Sequence, residues 1–504
     1  MPSVVTPSGL RLSVLRWLIP FMLPLGFLLS EDALGHLTTD YAMWTIVGTL
    51  AVAVTFWRIG LDWLRALPLI ALLSLFLVGY YLQFYWSIFT PDSLEDIYWE
   101  LPFVVTESAV LAEAYEVINL GMLGLAAGTL LMLTLPAQQH SLIPTDPRQL
   151  STDDRSAFRK ASTILLVISP VLMLTSGVIM YAFNIAVSGA RGVYLPFRMS
   201  GFVYYTHSMI VPALLALLIW CSDMAGLKRR MTLGIAMVVA QGILGMLLRS
   251  SRGVLFVLAI LLFLVLLTSG RLNWRRMTPM IVFGLLMGLF WPLFTMYRTL
   301  RVIDPAITPL SALSESVASL FGGSESLTTA YSSGMESTLR RMGNVYSVIL
   351  LAWKQVTPVG LKAVTVGGLD VGRYFTVSIL GYPADSPHSS ATSLVGWFYV
   401  VGGKSLVFFG MAFFACYVDL IWRALRSLRL RTLPVAQATL IFWLAHIVLE
   451  GALDRIGLAM LVLTASIAAP EILLRSTVPR RRLPLFFRKP RRREAPAVAP
   501  PSPP

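Results

Sequence analysis

The chain has 504 residues, of which 56% are hydrophobic and 13% charged, and its net charge is +14. A soluble domain is roughly 45–50% apolar and about 25% charged, so this composition excludes a disordered chain and argues against a soluble enzyme. The two cysteines, Cys221 and Cys416, both lie in apolar runs and make neither a disulfide framework nor a four-ligand zinc site.

A membrane-crossing helix needs about 20 mostly apolar residues. By that measure the chain is an all-α polytopic membrane protein of about twelve spans. They fall near 13–30, 42–57, 66–90, 114–135, 161–187, 202–222, 232–249, 253–269, 278–297, 405–423, 434–450 and 456–474. Arg11 and Arg16 precede the first apolar stretch and no small-residue cleavage site follows it, so it reads as a signal anchor. Orientation follows the cations. With both termini cytoplasmic, the inner segments hold Arg58 and Arg65, then Arg148 to Lys160, Lys228 to Arg230, Arg271 to Arg276 and Arg423 to Arg431. Together with Arg11, Arg16 and the tail they contain 27 of the 40 basic residues, so the positive charge reports topology rather than nucleic-acid binding.

The outer segments differ. Residues 31–41 carry Glu31, Asp32 and Asp40, and residues 91–113 carry Asp92, Glu95, Asp96, Glu100, Glu107 and Glu113 without a cation. The chain divides into an N-terminal bundle of about nine spans (1–297), a large extracytoplasmic loop (298–390), an interfacial helix with three spans (391–474), and a basic, proline-rich tail (475–504) expected to be disordered. Short helices are expected in the loop near 310–320 and 337–354. Residues 391–422 form one apolar run interrupted at Gly402, Gly403 and Lys404. As one helix the run would overshoot the bilayer, so 391–401 is expected to lie at the outer interface or dip in, with Trp397, Phe398 and Tyr399 as interfacial anchors or as platforms that stack on sugar faces.

Some arginines oppose the topology rule. Arg191 and Arg198 lie in one short outer segment, Arg249 and Arg252 in a tight outer turn, and Arg298 and Arg301 where the ninth span leaves the membrane. Snorkelling or pairing with an acid such as Asp304 is one explanation. The other is an outer anion site, for which the forked, permanently charged guanidinium suits phosphate. Tyr204, Tyr205 and His207 begin the sixth span at the same depth. His446, Glu450 and Asp454 share a face at the outer end of the eleventh. The loop adds Arg373 within GGLDVGRYF, and Asp385 and His388 within GYPADSPHSS. Walker A, HExxH, GxSxG and DxD motifs are absent from the sequence.

The span count, the late outer loop, the arginines in RSSRG (249–253) and YRTLR (297–301), and the PHSSATSLVGWFYVVGGKSLVFFG passage (387–410) resemble bacterial polysaccharide polymerases of the Wzy type, relatives of the O-antigen ligases. The resemblance implies a GT-C-type glycosyltransferase of the bacterial inner membrane, with its large loop periplasmic. It would join polyprenyl-diphosphate-linked oligosaccharides by inversion, with no metal or other cofactor, alongside a chain-length regulator. Arg191, Arg198, Arg249, Arg252, Arg298, Arg301 and Arg373 would hold the diphosphate. Ligases of the family carry a catalytic histidine in the late outer loop, and His388 is the position here that matches, with Asp385 and Glu450 as further proton acceptors. The alternatives are an O-antigen ligase, a transporter or flippase of lipid-linked oligosaccharides, and a metal-dependent enzyme using Glu31 and Asp32.

Overall fold

A computed structural model describes residues 19–34, 38–59, 66–89, 104–105, 107–135, 152–185, 195–196, 199–249, 261–266, 278, 281–282, 293–294, 296–297, 300–301, 307–321, 345–384, 392–428, 430–450, 453 and 456–477. They form helices α1 (Met22–Leu34), α2 (Thr39–Ile59), α3 (Leu67–Phe89), α4 (Ser108–Thr134), α5 (Thr152–Ala182), α6 (Met199–Met224) and α7 (Lys228–Arg249). There follow α8 (Pro309–Phe321), α9 (Val345–Trp353), the short α10 (Leu361–Thr365) and α11 (Val371–Tyr374), α12 (Ser393–Ser427), α13 (Leu433–Glu450) and α14 (Ile456–Thr477). Among the described residues seven helices are long and apolar enough to cross a membrane: α2 to α7 and α12. The chain is a multi-pass membrane protein. Much of the two spans expected at 253–269 and 278–297 lies outside the described residues.

Boundaries moved where polar residues extend a helix. Against an expected end near residue 30, α1 continues to Leu34 and takes in Glu31 and Asp32 of the outer segment 31–41. Likewise α5 starts at Thr152, nine residues early, because its first turns are amphipathic and carry Arg155, Arg159 and Lys160.

Two packing groups share the bundle: α2, α3, α4, α9 and α12 form one, α5, α6 and α7 the other, and α13 and α14 run between them. The contact of α4 with α12 depends on glycine. A Cβ on Gly124 would collide with the Phe408 carbonyl oxygen, and one on Gly128 with that of Ala412. This GxxxG spacing lets two backbones touch, which is how helices gain attraction where lipid offers no hydrophobic drive. On its other side α4 sends Asn119 toward Gly48 of α2. Asn119 accepts a hydrogen bond from Tyr81 (2.9 Å) and donates to the Tyr115 carbonyl (2.8 Å), so a buried amide is satisfied.

One end of the bundle is basic and cross-tied. Arg230 Nη1 donates to the Arg159 carbonyl (3.1 Å) and to the hydroxyls of Ser162 (2.9 Å) and Thr163 (2.7 Å). Arg423 pairs with Asp419 and donates to the Met132 carbonyl (2.6 Å). Glu471 accepts from Thr432 and pairs with Arg475. The opposite end, the loop end, carries the segment that follows α9, where Val359 and Gly360 bond to Val400 and Val401.

The passage expected to lie at the outer interface or dip in does the latter: it is a buried half-helix. Residues 393–401 are all buried, and the helix breaks at Gly402 and Gly403, the latter at φ 65°, ψ −161°. Phe398 packs on Gly410, twelve residues further on. A straight helix would separate them by about 18 Å, so the chain doubles back. Val395 N donates to Tyr80 Oη (3.2 Å) and its side chain meets Gly121, halfway along α4. Tyr399 then reaches Glu113, two turns nearer the loop end (2.9 Å). Residues 393–401 therefore rise from the middle of the bundle to its loop end, and 404–427 descend beside α4. Trp397, Phe398 and Tyr399 are core residues, not interfacial anchors. Helix α9 accompanies the half-helix: Ser347 donates to the Thr392 carbonyl (2.7 Å), and Leu351 faces Gly396. Backbone N–H groups of Val359 and Gly360 satisfy the carbonyls of Val400 and Val401 at the break (2.9 and 3.0 Å). Non-regular backbone at this depth is tolerated because protein, not lipid, surrounds it.

Candidate functional site

The site lies where α5, α6 and α7 meet near the loop end. Helix α6 contains a π turn over Thr206–Ile210. A π turn inserts one residue and takes carbonyls out of the regular ladder. Gln241 of α7 answers this by donating its Nε2 to the His207 carbonyl (2.7 Å). The extra residue also turns His207 inward until it is 1% exposed. Its ring lies beside Gly177 of α5, where a Cβ would come 3.8 Å from Cε1 and 3.1 Å from Leu244 of α7. Its Nδ1 is 2.9 Å from Ser176 Oγ. Helix α14 packs behind the π turn.

Arg249 closes α7 on the loop side. Its guanidinium carbon stands 4.8 Å from the centroid of Tyr204, one turn before His207 on the same face of α6. Tyr205 meets Tyr204 edge-on at 5.0 Å. Ion pairs elsewhere in the bundle join Lys404 to Glu113 and Glu116, Arg423 to Asp419, and Arg475 to Glu471; among the described residues no carboxylate pairs with Arg249. Several polar atoms here are buried without a hydrogen-bond partner among the described residues: Arg249 Nε, His207 Nε2, Gln241 Oε1 and Thr206 Oγ1. A buried polar group left unmade costs about 1–3 kcal/mol. Each such group in a native structure calls for an explanation, and a ligand, ion or water that completes its bonds is one.

Of the second arginine pair only Arg301 is described, and one bond ties the helix turn just before it to α7. Tyr297 donates to the Leu247 carbonyl (2.5 Å), two residues before Arg249, and Arg301 lies four residues further along the chain than Tyr297. Arg301 is 3% exposed and donates Nη1 to the Ile307 carbonyl, which folds the chain back toward α8. Arg373 has a local role. It is the third residue of α11, whose cap Asp370 accepts from its backbone N–H (3.0 Å), and its guanidinium donates to the Ala384 carbonyl, so it fastens the loop to itself. Glu450 ends α13, but its side chain and that of His446 lie outside the described residues. Arg191, Arg198, Arg252, Arg298, Asp385 and His388 also lie outside them.

One polar cluster had not been assembled from the sequence. Lys404, just past the Gly-Gly break, meets Glu113 (2.9 Å) and Glu116 (3.0 Å) on α4, and Glu113 also accepts from Tyr399. It clamps the apex of the half-helix. A single lysine in an apolar run needs a counter-ion, and the cation-free acidic segment 91–113 was the place to look for one.

Comparison with protein-family models, with curated proteins and with solved structures finds no match.

Proposed function

We propose that the chain is a polymerase that joins polyprenyl-diphosphate-linked oligosaccharides at the extracytoplasmic face of a bacterial inner membrane, with the loop end facing outward. The observation that carries the reading is Arg249: a cation at the loop end of α7, unpaired with any carboxylate among the described residues, beside buried polar atoms that have no partner. Breaking a sugar–diphosphate bond leaves charge on the diphosphate as the anomeric carbon becomes oxocarbenium-like. A fixed guanidinium at that position stabilises the leaving group in a low-dielectric mouth. Arg301, four residues after the Tyr297 that bonds the Leu247 carbonyl, supplies a second cation, and the lipid tail lies between spans.

Deleting the gene separates this reading from a ligase. Loss of long glycan chains with single-repeat product retained supports a polymerase; loss of the single-repeat product as well supports a ligase. A second reading rests on the half-helices α9 and 393–401, which begin midway through the bundle as discontinuous helices of transporters do. It is a flippase of the same lipid-linked sugars. Purified protein that moves the lipid across vesicles without forming glycosidic bonds would favour it.

A further inference from the structure

Glycosyl transfer to a hydroxyl needs a group that accepts the hydroxyl proton. The residues named for this from the sequence, His388, Asp385 and Glu450, have side chains outside the described residues. We propose that Nε2 of His207 is that proton acceptor; the inference rests on the glycosyl-transfer reading above.

The tautomer is set by Ser176. The hydroxyl of Ser176 has one proton, and it goes to the Leu172 carbonyl at 2.6 Å. Its contact with His207 Nδ1 at 2.9 Å is therefore one in which the ring donates and the serine accepts. A neutral imidazole protonated at Nδ1 carries its lone pair on Nε2. That atom is buried and has no hydrogen-bond partner among the described residues. An orienting group on one nitrogen and an open lone pair on the other is the arrangement of an imidazole base. The π turn and the Gln241 bond to its carbonyl hold the ring in place from the backbone side. Tyr204 places Arg249 one turn closer to the loop end on the same face. A diphosphate drawn to Arg249 would bring the anomeric carbon, the next atom group along the substrate, toward Nε2.

The step balances without a further reactant. The acceptor oxygen bonds to the anomeric carbon. The bond from that carbon to the diphosphate oxygen breaks, and its electron pair stays on the diphosphate. The hydroxyl proton passes to Nε2, giving an imidazolium whose Nδ1–H remains on Ser176.

The test uses full-length protein carrying His207→Gln, Ser176→Ala or Arg249→Ala. Each is read twice: by the glycan ladder of cells holding it as the sole copy, and by inorganic pyrophosphate binding to the purified protein. His207→Gln should keep pyrophosphate affinity within about threefold while chain extension falls about 100-fold or more. Ser176→Ala should slow extension roughly tenfold with binding unchanged, and it decides the matter if His207→Gln does not reach the membrane. Wild-type extension in His207→Gln, or in Ser176→Ala when that variant decides, overturns the inference, as does joint loss of binding and extension in His207→Gln. Wild-type protein that neither binds pyrophosphate nor extends chains overturns the underlying reading instead.

Discussion

Replacing Arg249 separates a resting contact from a working one. At rest the guanidinium sits 4.8 Å from the Tyr204 ring centroid, an arrangement worth about 0.5–1 kcal/mol. On a diphosphate it would make two charge-assisted hydrogen bonds, each worth about 1.5–3 kcal/mol. The balance favours the phosphate by roughly 2–5 kcal/mol, so Arg249→Ala is expected to slow chain extension about 30- to 5,000-fold. Arg249→Lys keeps the charge and loses the fork, so it should fall between the two. Tyr204→Phe keeps the ring face and should extend chains within about twofold of wild type. The assay is the glycan ladder against time, with protein abundance in the membrane fraction as control. An Arg249→Ala rate within about threefold of wild type would refute the assignment of this arginine to the leaving group.

Three further outcomes follow from the packing. Gly403 occupies a backbone region open essentially to glycine alone, so Gly403→Ala should destabilise the protein by about 1–3 kcal/mol, measured by thermal unfolding in detergent. Unchanged unfolding would mean that the hairpin does not double back there. Gly124→Val should cost about 1–3 kcal/mol by forcing α4 from the Phe408 carbonyl, and disulfide trapping between cysteines placed on α4 and 404–427 should slow. A double-mutant cycle of Lys404→Ala with Glu113→Gln should give a coupling of about 0.2–1 kcal/mol, because both side chains are over one-third exposed. Zero coupling would remove the clamp from the account.

Hydropathy located the spans because it reports length and apolarity directly, and both were sufficient for α2 to α7. It also marked Gly402 and Gly403 as a break, since two glycines and a lysine interrupt one apolar run. It could not distinguish a helix lying on the membrane from one buried among other helices. Residues 393–401 have the composition of either, and only their contacts with Tyr80, Ser347 and Gly121 decide. The clamp was hidden for a related reason: Lys404 and Glu113 are 291 residues apart, and no local pattern links them. Within the site, Arg249 was visible because a cation at an outer turn breaks the topology rule. The π turn was not, because a one-residue insertion alters no hydrophobic period, and Ser176 and Gln241 are ordinary polar residues until they are seen against His207.

The most direct measurement is photo-crosslinking with a short prenyl diphosphate carrying a photoreactive group beside its phosphates, mapped by peptide sequencing of the full-length protein. Adducts on residues 199–207 or 241–249 that pyrophosphate competes away, and that Arg249→Ala abolishes, are the predicted result. Labelling confined to other helices, or labelling here that is indifferent to pyrophosphate and to Arg249, would contradict a diphosphate site at the loop end.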